Sequence, residues 1–164
     1  MATEIQYAFF KSIYDDENLR YTKLEARARF YLTIQTFYLG AIAFKFDDIQ
    51  KFSNTFAVPL ALFIAIGLLL VLGLLFTILS TRIRTYEAPT ELLQLFKNSF
   101  ESATPTDAAF LKDRLVDLAV ATQRNCKVND KVARLLSKAA WLLFTAIAVH
   151  FTTFVYAYIH QFKP

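Results

Sequence analysis

From Phe52 to Thr81 the chain carries no charged residue, and its centre, from Ala57 to Leu79, is mostly leucine, isoleucine, alanine and phenylalanine. A helix needs roughly 20 apolar residues to cross the hydrocarbon of a bilayer. This run meets that need, and Pro59 falls in its first turn, where a missing N–H costs little. A second run, Ala139 to Phe162, has no lysine, arginine, aspartate or glutamate. It opens near Trp141 and closes near Tyr156 and Tyr158, aromatics of the kind that favour membrane–water interfaces. A third, Phe30 to Phe44, is shorter, about 22 Å as a helix. Arg27 and Arg29 at one end and Lys45 at the other can extend it by snorkelling; an amphipathic helix lying in the interface is the alternative. Continuous apolar runs exclude a transmembrane barrel, which reads as short alternating strands. The pattern predicts an all-α polytopic membrane protein with three transmembrane helices, at 30–46, 55–81 and 139–162. A short external loop is expected at 47–54, with cytoplasmic helical extensions at 1–29 and 82–138.

Charge fixes the orientation. Lys11, Arg20, Lys23, Arg27 and Arg29 precede the first run, and the stretch from Arg82 to Lys138 is rich in lysine and arginine. The connection between the first two runs has only Lys45 and Lys51, offset by Asp47 and Asp48. The positive-inside rule then places the N-terminus and the long middle segment in the cytoplasm and the C-terminus outside, which needs an odd number of crossings. Composition adds little more. The hydrophobic fraction is 55% with a net charge of +4 and mean hydropathy is +0.35. The single cysteine, Cys126, excludes an intramolecular disulfide.

The polar stretches also read as helices. Ile5, Ala8, Phe9 and Ile13 recur at helical spacing, Thr90 to Phe100 forms a short amphipathic pattern, and Thr104-Pro105 with Asp107 is an N-terminal capping box. From there a stripe alternates steps of four and three: Leu111, Leu115, Leu118, Thr122, Asn125, Asn129, Val132, Leu136, Ala139, Leu143, Ala146, His150, Thr153, Ala157, His160. That is a heptad seam. A similar stripe on the first helix is Leu19, Thr22, Ala26, Arg29, Thr33, Thr36, Gly40, Ala43, Asp47. Both predict helices that extend beyond the membrane and pack at shallow angles in a symmetric oligomeric bundle.

Along this seam, Thr122, Asn125 and Asn129 are candidates for fixing register and oligomeric state; lining a ligand vestibule is the other reading. Ala146, His150, Thr153 and Ala157, with Thr33, Thr36 and Gly40, are candidate pore-lining residues, because an ionisable group inside a membrane is a functional hypothesis. Hydrogen bonding of His150 to Thr33, Gln35 or Thr36 is the structural alternative. Arg124, Lys127, Lys131, Arg134 and Lys138 share the opposite face, and Arg20, Lys23 and Arg27 form a second basic face. They are a solvated anchor or a receptor for a phosphate-bearing ligand, a nucleotide or oligonucleotide. No catalytic motif, cofactor fingerprint or metal-ligand spacing is present, so no enzymatic activity, cofactor or metal is expected.

The stretch Asp117-Leu118-Ala119, Gln123-Arg124-Asn125, Lys127, Asn129-Asp130-Lys131 and Leu135 to Ala140, running straight into the last span, resembles the small membrane effectors of bacterial nucleotide-signalling antiphage defence. These are the SLATT-type proteins, the membrane effectors of Pycsar systems and the Hailong-type effectors. The resemblance covers the architecture and little specific sequence, and this chain has no appended nucleotide-binding domain. It implies a multi-pass protein of the bacterial inner membrane, surrounded by lipid and associated with itself. Such a homo-oligomer stays silent until a nucleotide or oligonucleotide, made by a partner nucleotidyltransferase or cyclase, triggers or restrains it. Opening a gated ion-channel-like pore would then depolarise or arrest the infected cell. The competing expectations are a non-conducting scaffold that anchors a cytosolic partner and, third, a membrane-deforming protein using its N-terminal helix.

Overall fold

The computed structural model describes residues 4–56, 58–83 and 107–161. Among these the chain forms four helices and no strand: α1 (Glu4–Phe44), α2 (Phe46–Phe56), α3 (Leu60–Arg82) and α4 (Asp107–Gln161). The amphipathic helix expected at 90–100 and the Thr104-Pro105 cap lie outside the described residues; the described helix begins at Asp107. With no proline between Pro105 and Pro164, nothing removes an N–H from the α4 ladder, and it continues for 55 residues.

The fold separates into two compact units, 1–24 with 83–131 and 25–82 with 132–164. In the first, α1 presents Tyr7, Phe10, Tyr14, Glu17, Tyr21 and Leu24 on its less exposed side, and α4 presents Leu115, Leu118, Thr122, Asn125 and Asn129. Both sets alternate threes and fours, the period that keeps one face of a helix against a neighbour.

The second unit holds the apolar helices. Its core joins Phe63, Ile66 and Leu70 of α3 to Leu143, Ala146 and Ala157 of α4, with Tyr31, Ile34, Tyr38 and Ile42 of α1 packed against it. Gln35 of α1 reaches Thr77 of α3 and Ala139 of α4, while Tyr38 reaches His150. Phe63, earlier on α3 than Thr77, stacks edge-on to His150, later on α4 than Ala139. In this unit α1 and α4 therefore run the same way and α3 runs against them.

Residues 47–54, expected as a short loop, belong to helix α2 instead. Its polar and charged positions look outward while Ile49, Phe52 and Ser53 turn inward, a spacing of three and four that one helical face provides. Ser53 closes the helix: its hydroxyl donates to the Val58 carbonyl at 2.6 Å and its own carbonyl accepts from the Val58 N–H at 3.1 Å. Pro59 sits one residue before α3, and its carbonyl accepts from the Leu62 N–H.

Among the described residues two helices, α3 and α4, are long and apolar enough to cross a membrane. The crossing expected at 30–46 falls largely within α1 and is not one of the two.

Candidate functional site

In the second unit the core is mainly apolar and the outer surface is apolar too, unlike that of a water-soluble fold. Leu62, Ile64, Leu68, Leu72 and Leu75 of α3 face outward, as do Trp141, Phe144, Phe151 and Phe154 of α4 and Phe30, Phe37 and Phe44 of α1. Only 28% and 22% of the most apolar stretches of α3 and α4 are buried. The groups turned inward include Gln35, Ser53, Thr77, Ser80 and Thr153. Water would penalise this arrangement; hydrocarbon rewards it, because polar side chains there must satisfy one another.

Two polar clusters lie between the helices. Gln35, fully buried, accepts from the Thr77 hydroxyl at 3.0 Å and donates to the Ala139 carbonyl at 3.4 Å. Thr77 also bonds the Gly73 carbonyl. Gly73 makes the room: a Cβ there would lie 2.7 Å from Gln35 Nε2 and 3.6 Å from the Ala139 oxygen. One side chain thus ties three helices together. The second cluster is Tyr38 with His150, whose hydroxyl and Nδ1 lie 2.5 Å apart with the rings stacked. Phe63 meets His150 edge-on, and Phe52 stacks on Phe154. Beside α2 these side chains, with Ile49 and Thr153, line an open cavity of about 240 Å³ whose lining also includes Lys45 and Asp48. The Lys45 ammonium donates to Asp48 at 2.9 Å and holds that carboxyl below the usual carboxylate range, with Lys51 adding a smaller pull.

The seam read on α4 coincides with its buried face. Asn125, Asn129, Val132, Leu136, Ala139, Leu143, Ala146, Thr153 and Ala157 are all buried, with His150 half-buried. The stripe read on α1 does not coincide with the packed face: Thr33, Thr36 and Gly40 are exposed, and the packed positions are Ala28, Tyr31, Gln35, Tyr38 and Ile42. The candidate pore residues are therefore not brought together. Those on α4 lie within the chain's own packing, and those on α1 lie on the opposite, outer side of their helix. His150 pairs with Tyr38, not with Thr33, Gln35 or Thr36. Sequence reasoning missed Tyr38, Thr77 and Gly73. The signal available for α3 was the spacing Phe63, Ile66, Leu70, Gly73, Thr77, Ser80, which alternates threes and fours.

In the first unit, Asn129 donates through Nδ2 to the Glu17 carbonyl at 3.0 Å and to Glu17 Oε2 at 2.7 Å. Asn125 is also fully buried, and Thr122 is half-buried. The register candidates thus sit where α4 meets α1 of the same chain. Arg20 donates to Asp130 at 2.6 Å and contacts Glu17. The Asp130 hydrogen bond, against partial burial and aided by Glu17, holds the guanidinium more firmly protonated than usual. Arg124, Lys127, Lys131 and Lys23 are exposed in this unit, and Arg134, Lys138 and Arg27 in the other. Lys138 lies over the Phe76 ring at 5.6 Å.

Replacing Asn129 with leucine removes both donors to Glu17 and leaves its carboxylate facing an apolar side chain. The expected loss of stability is about 1–3 kcal/mol, read as a lowered unfolding temperature in detergent. The Lys127→Gln variant, changed on an exposed position, serves as the reference and should move that temperature much less.

No protein-family model, curated protein or solved structure matches this chain.

Proposed function

We propose that the chain is an integral membrane protein that crosses the bilayer three times, through 30–44 of α1, through α3 and through the distal part of α4. Copies assemble into a gated pore. The observation that carries the membrane reading is the apolar outer surface of the second unit, with leucine and phenylalanine exposed along α1, α3 and α4 while Gln35, Thr77 and Thr153 are buried. The third crossing is supported by the course of α1, which runs beside α3 and α4 from Tyr31 to Ile42. A helix at that depth with Phe37 78% exposed suits hydrocarbon.

The pore reading rests on the outer side of α1. Thr33, Thr36 and Gly40 form a small, hydroxyl-bearing strip left uncovered by the chain's own helices, and a ring of copies would turn such strips toward one another. Arg124, Lys127 and Lys131 offer an anionic trigger, a nucleotide or oligonucleotide, an exposed landing face. With the resemblance to nucleotide-signalling defence effectors, this gives a non-enzymatic effector of the bacterial inner membrane that depolarises the cell. Its N-terminus is cytoplasmic by the distribution of lysine and arginine. In planar bilayers the purified protein with cyclic or linear oligonucleotides should pass current, and Gly40→Leu or Thr36→Leu should reduce it at least ten-fold. Absence of current, or equal current in both variants, would sink the pore reading.

One observation favours a second reading. Ala146, Thr153 and Ala157 are consumed by packing within the chain, as in a non-conducting scaffold that anchors a cytosolic partner. That reading gives no current and a stoichiometric co-purifying protein.

A further inference from the structure

The cavity beside α2 has a composition that a pore or an anchor does not require. Its walls are Ile49, Phe52, Phe63 and Phe154, all apolar. Its inner polar contributors are Thr153, whose hydroxyl donates to the Val149 carbonyl, and His150. His150 offers one nitrogen bound to Tyr38 and a second, Nε2, with no hydrogen bond among the described residues. When the Tyr38 hydroxyl donates to Nδ1, Nε2 carries the proton and can donate to an oxygen in the cavity. Its lining also holds one positive and one negative group, Lys45 and Asp48, each 61% exposed. An exposed pair of this kind is weakly held, so either partner is readily exchanged for a ligand group. Lys45 is seven residues beyond Tyr38 on the chain, about 10 Å at helical rise.

We propose that this cavity is a binding site for an ethanolamine glycerophospholipid. One acyl chain enters among Phe52, Phe63 and Phe154, an ester carbonyl accepts from His150 Nε2, the phosphate meets Lys45 and the primary ammonium meets Asp48. A zwitterion matches the paired charges; an anionic headgroup or a free fatty acid would face Asp48 unpaired. A primary ammonium donates three hydrogen bonds to carboxylate oxygens, and a choline headgroup donates none. The proposal rests on the membrane reading of the chain and is independent of whether it conducts.

The test is native mass spectrometry of the full chain released from nanodiscs, titrated with ethanolamine, choline, glycerol and free fatty acid forms of one acyl composition. The ethanolamine lipid should bind at least ten-fold more tightly than the others. Asp48→Asn, at an exposed position, should bring the ethanolamine-to-choline ratio near one, and Ile49→Trp, which fills the chamber, should weaken every lipid. Equal binding of ethanolamine and choline lipids by the wild-type chain overturns the proposal, as does tighter binding of the anionic lipid. An unchanged ratio in Asp48→Asn also overturns it. A chain that stays dispersed in water without detergent or bilayer overturns the membrane reading and the site together. A chain held in nanodiscs without lipid preference overturns the site alone.

Discussion

Replacing Leu72 with lysine should weaken the insertion of α3. Leu72 lies near the middle of the 23-residue helix and is 48% exposed. Its side chain points away from the buried positions Leu70 and Gly73, and from the helix centre a lysine is too far from either end to reach water cheaply. The cost at mid-bilayer is about 2.5–3.5 kcal/mol, a large share of what the leucine, isoleucine and phenylalanine side chains of α3 supply. A glycosylation-reporter assay of α3 should show a fall in the inserted fraction, while Ile78→Lys, nearer the end, should show a smaller one. For a water-soluble protein the effect has the opposite sign: a lysine on an exposed leucine improves solubility and leaves folding intact. A soluble, folded Leu72→Lys variant would refute the membrane assignment outright.

The second large effect is expected at Gly73. A Cβ there would lie 2.7 Å from Gln35 Nε2, so any other residue must push the amide from its bonds to Thr77 and Ala139. Gly73→Leu should therefore destabilise the packed helices by about 1–3 kcal/mol, lowering the unfolding temperature in detergent. Gly67 and Gly40 meet nothing within 4 Å of an added Cβ. Leucine at Gly67 should leave the temperature unchanged or raise it slightly, since glycine is a poor helix former. If both variants unfold together, the Gln35 contacts do not hold the helices. The double variant Gly73→Leu with Gln35→Ala separates the two causes, because it removes the clash and should recover part of the loss.

The α4 seam was legible because leucine, alanine and asparagine repeat on one side of that helix against charged neighbours, and Arg124, Lys127 and Lys131 mark the opposite side. The same logic led to the outer face of α1. There the small and hydroxyl-bearing residues Thr33, Thr36 and Gly40 form a regular stripe, but apolar residues surround the helix on all sides, and the packed face is built from Tyr31, Gln35, Tyr38 and Ile42. Periodicity alone does not decide between two seams of equal period; contacts with other helices do. The short α2 was hidden by its charges, since Asp47, Asp48 and Lys51 suggest a loop until Ile49, Phe52 and Ser53 are seen to share one face. The partners of Gln35 and His150 depend on how far each helix slides past the next, and no spacing within one helix carries that information.

Gln35 also constrains how the protein is made. Its acceptor and donor groups meet Thr77, which follows 42 residues later, and Ala139, which follows 104 residues later. Tyr38 waits 112 residues for His150. The ribosome therefore delivers the first helix with a polar amide that nothing yet synthesised can satisfy. That helix completes its lateral packing only once the last one has been made, so in a chain truncated before α4 the Gln35 amide should lack its Ala139 acceptor and Tyr38 its His150 partner.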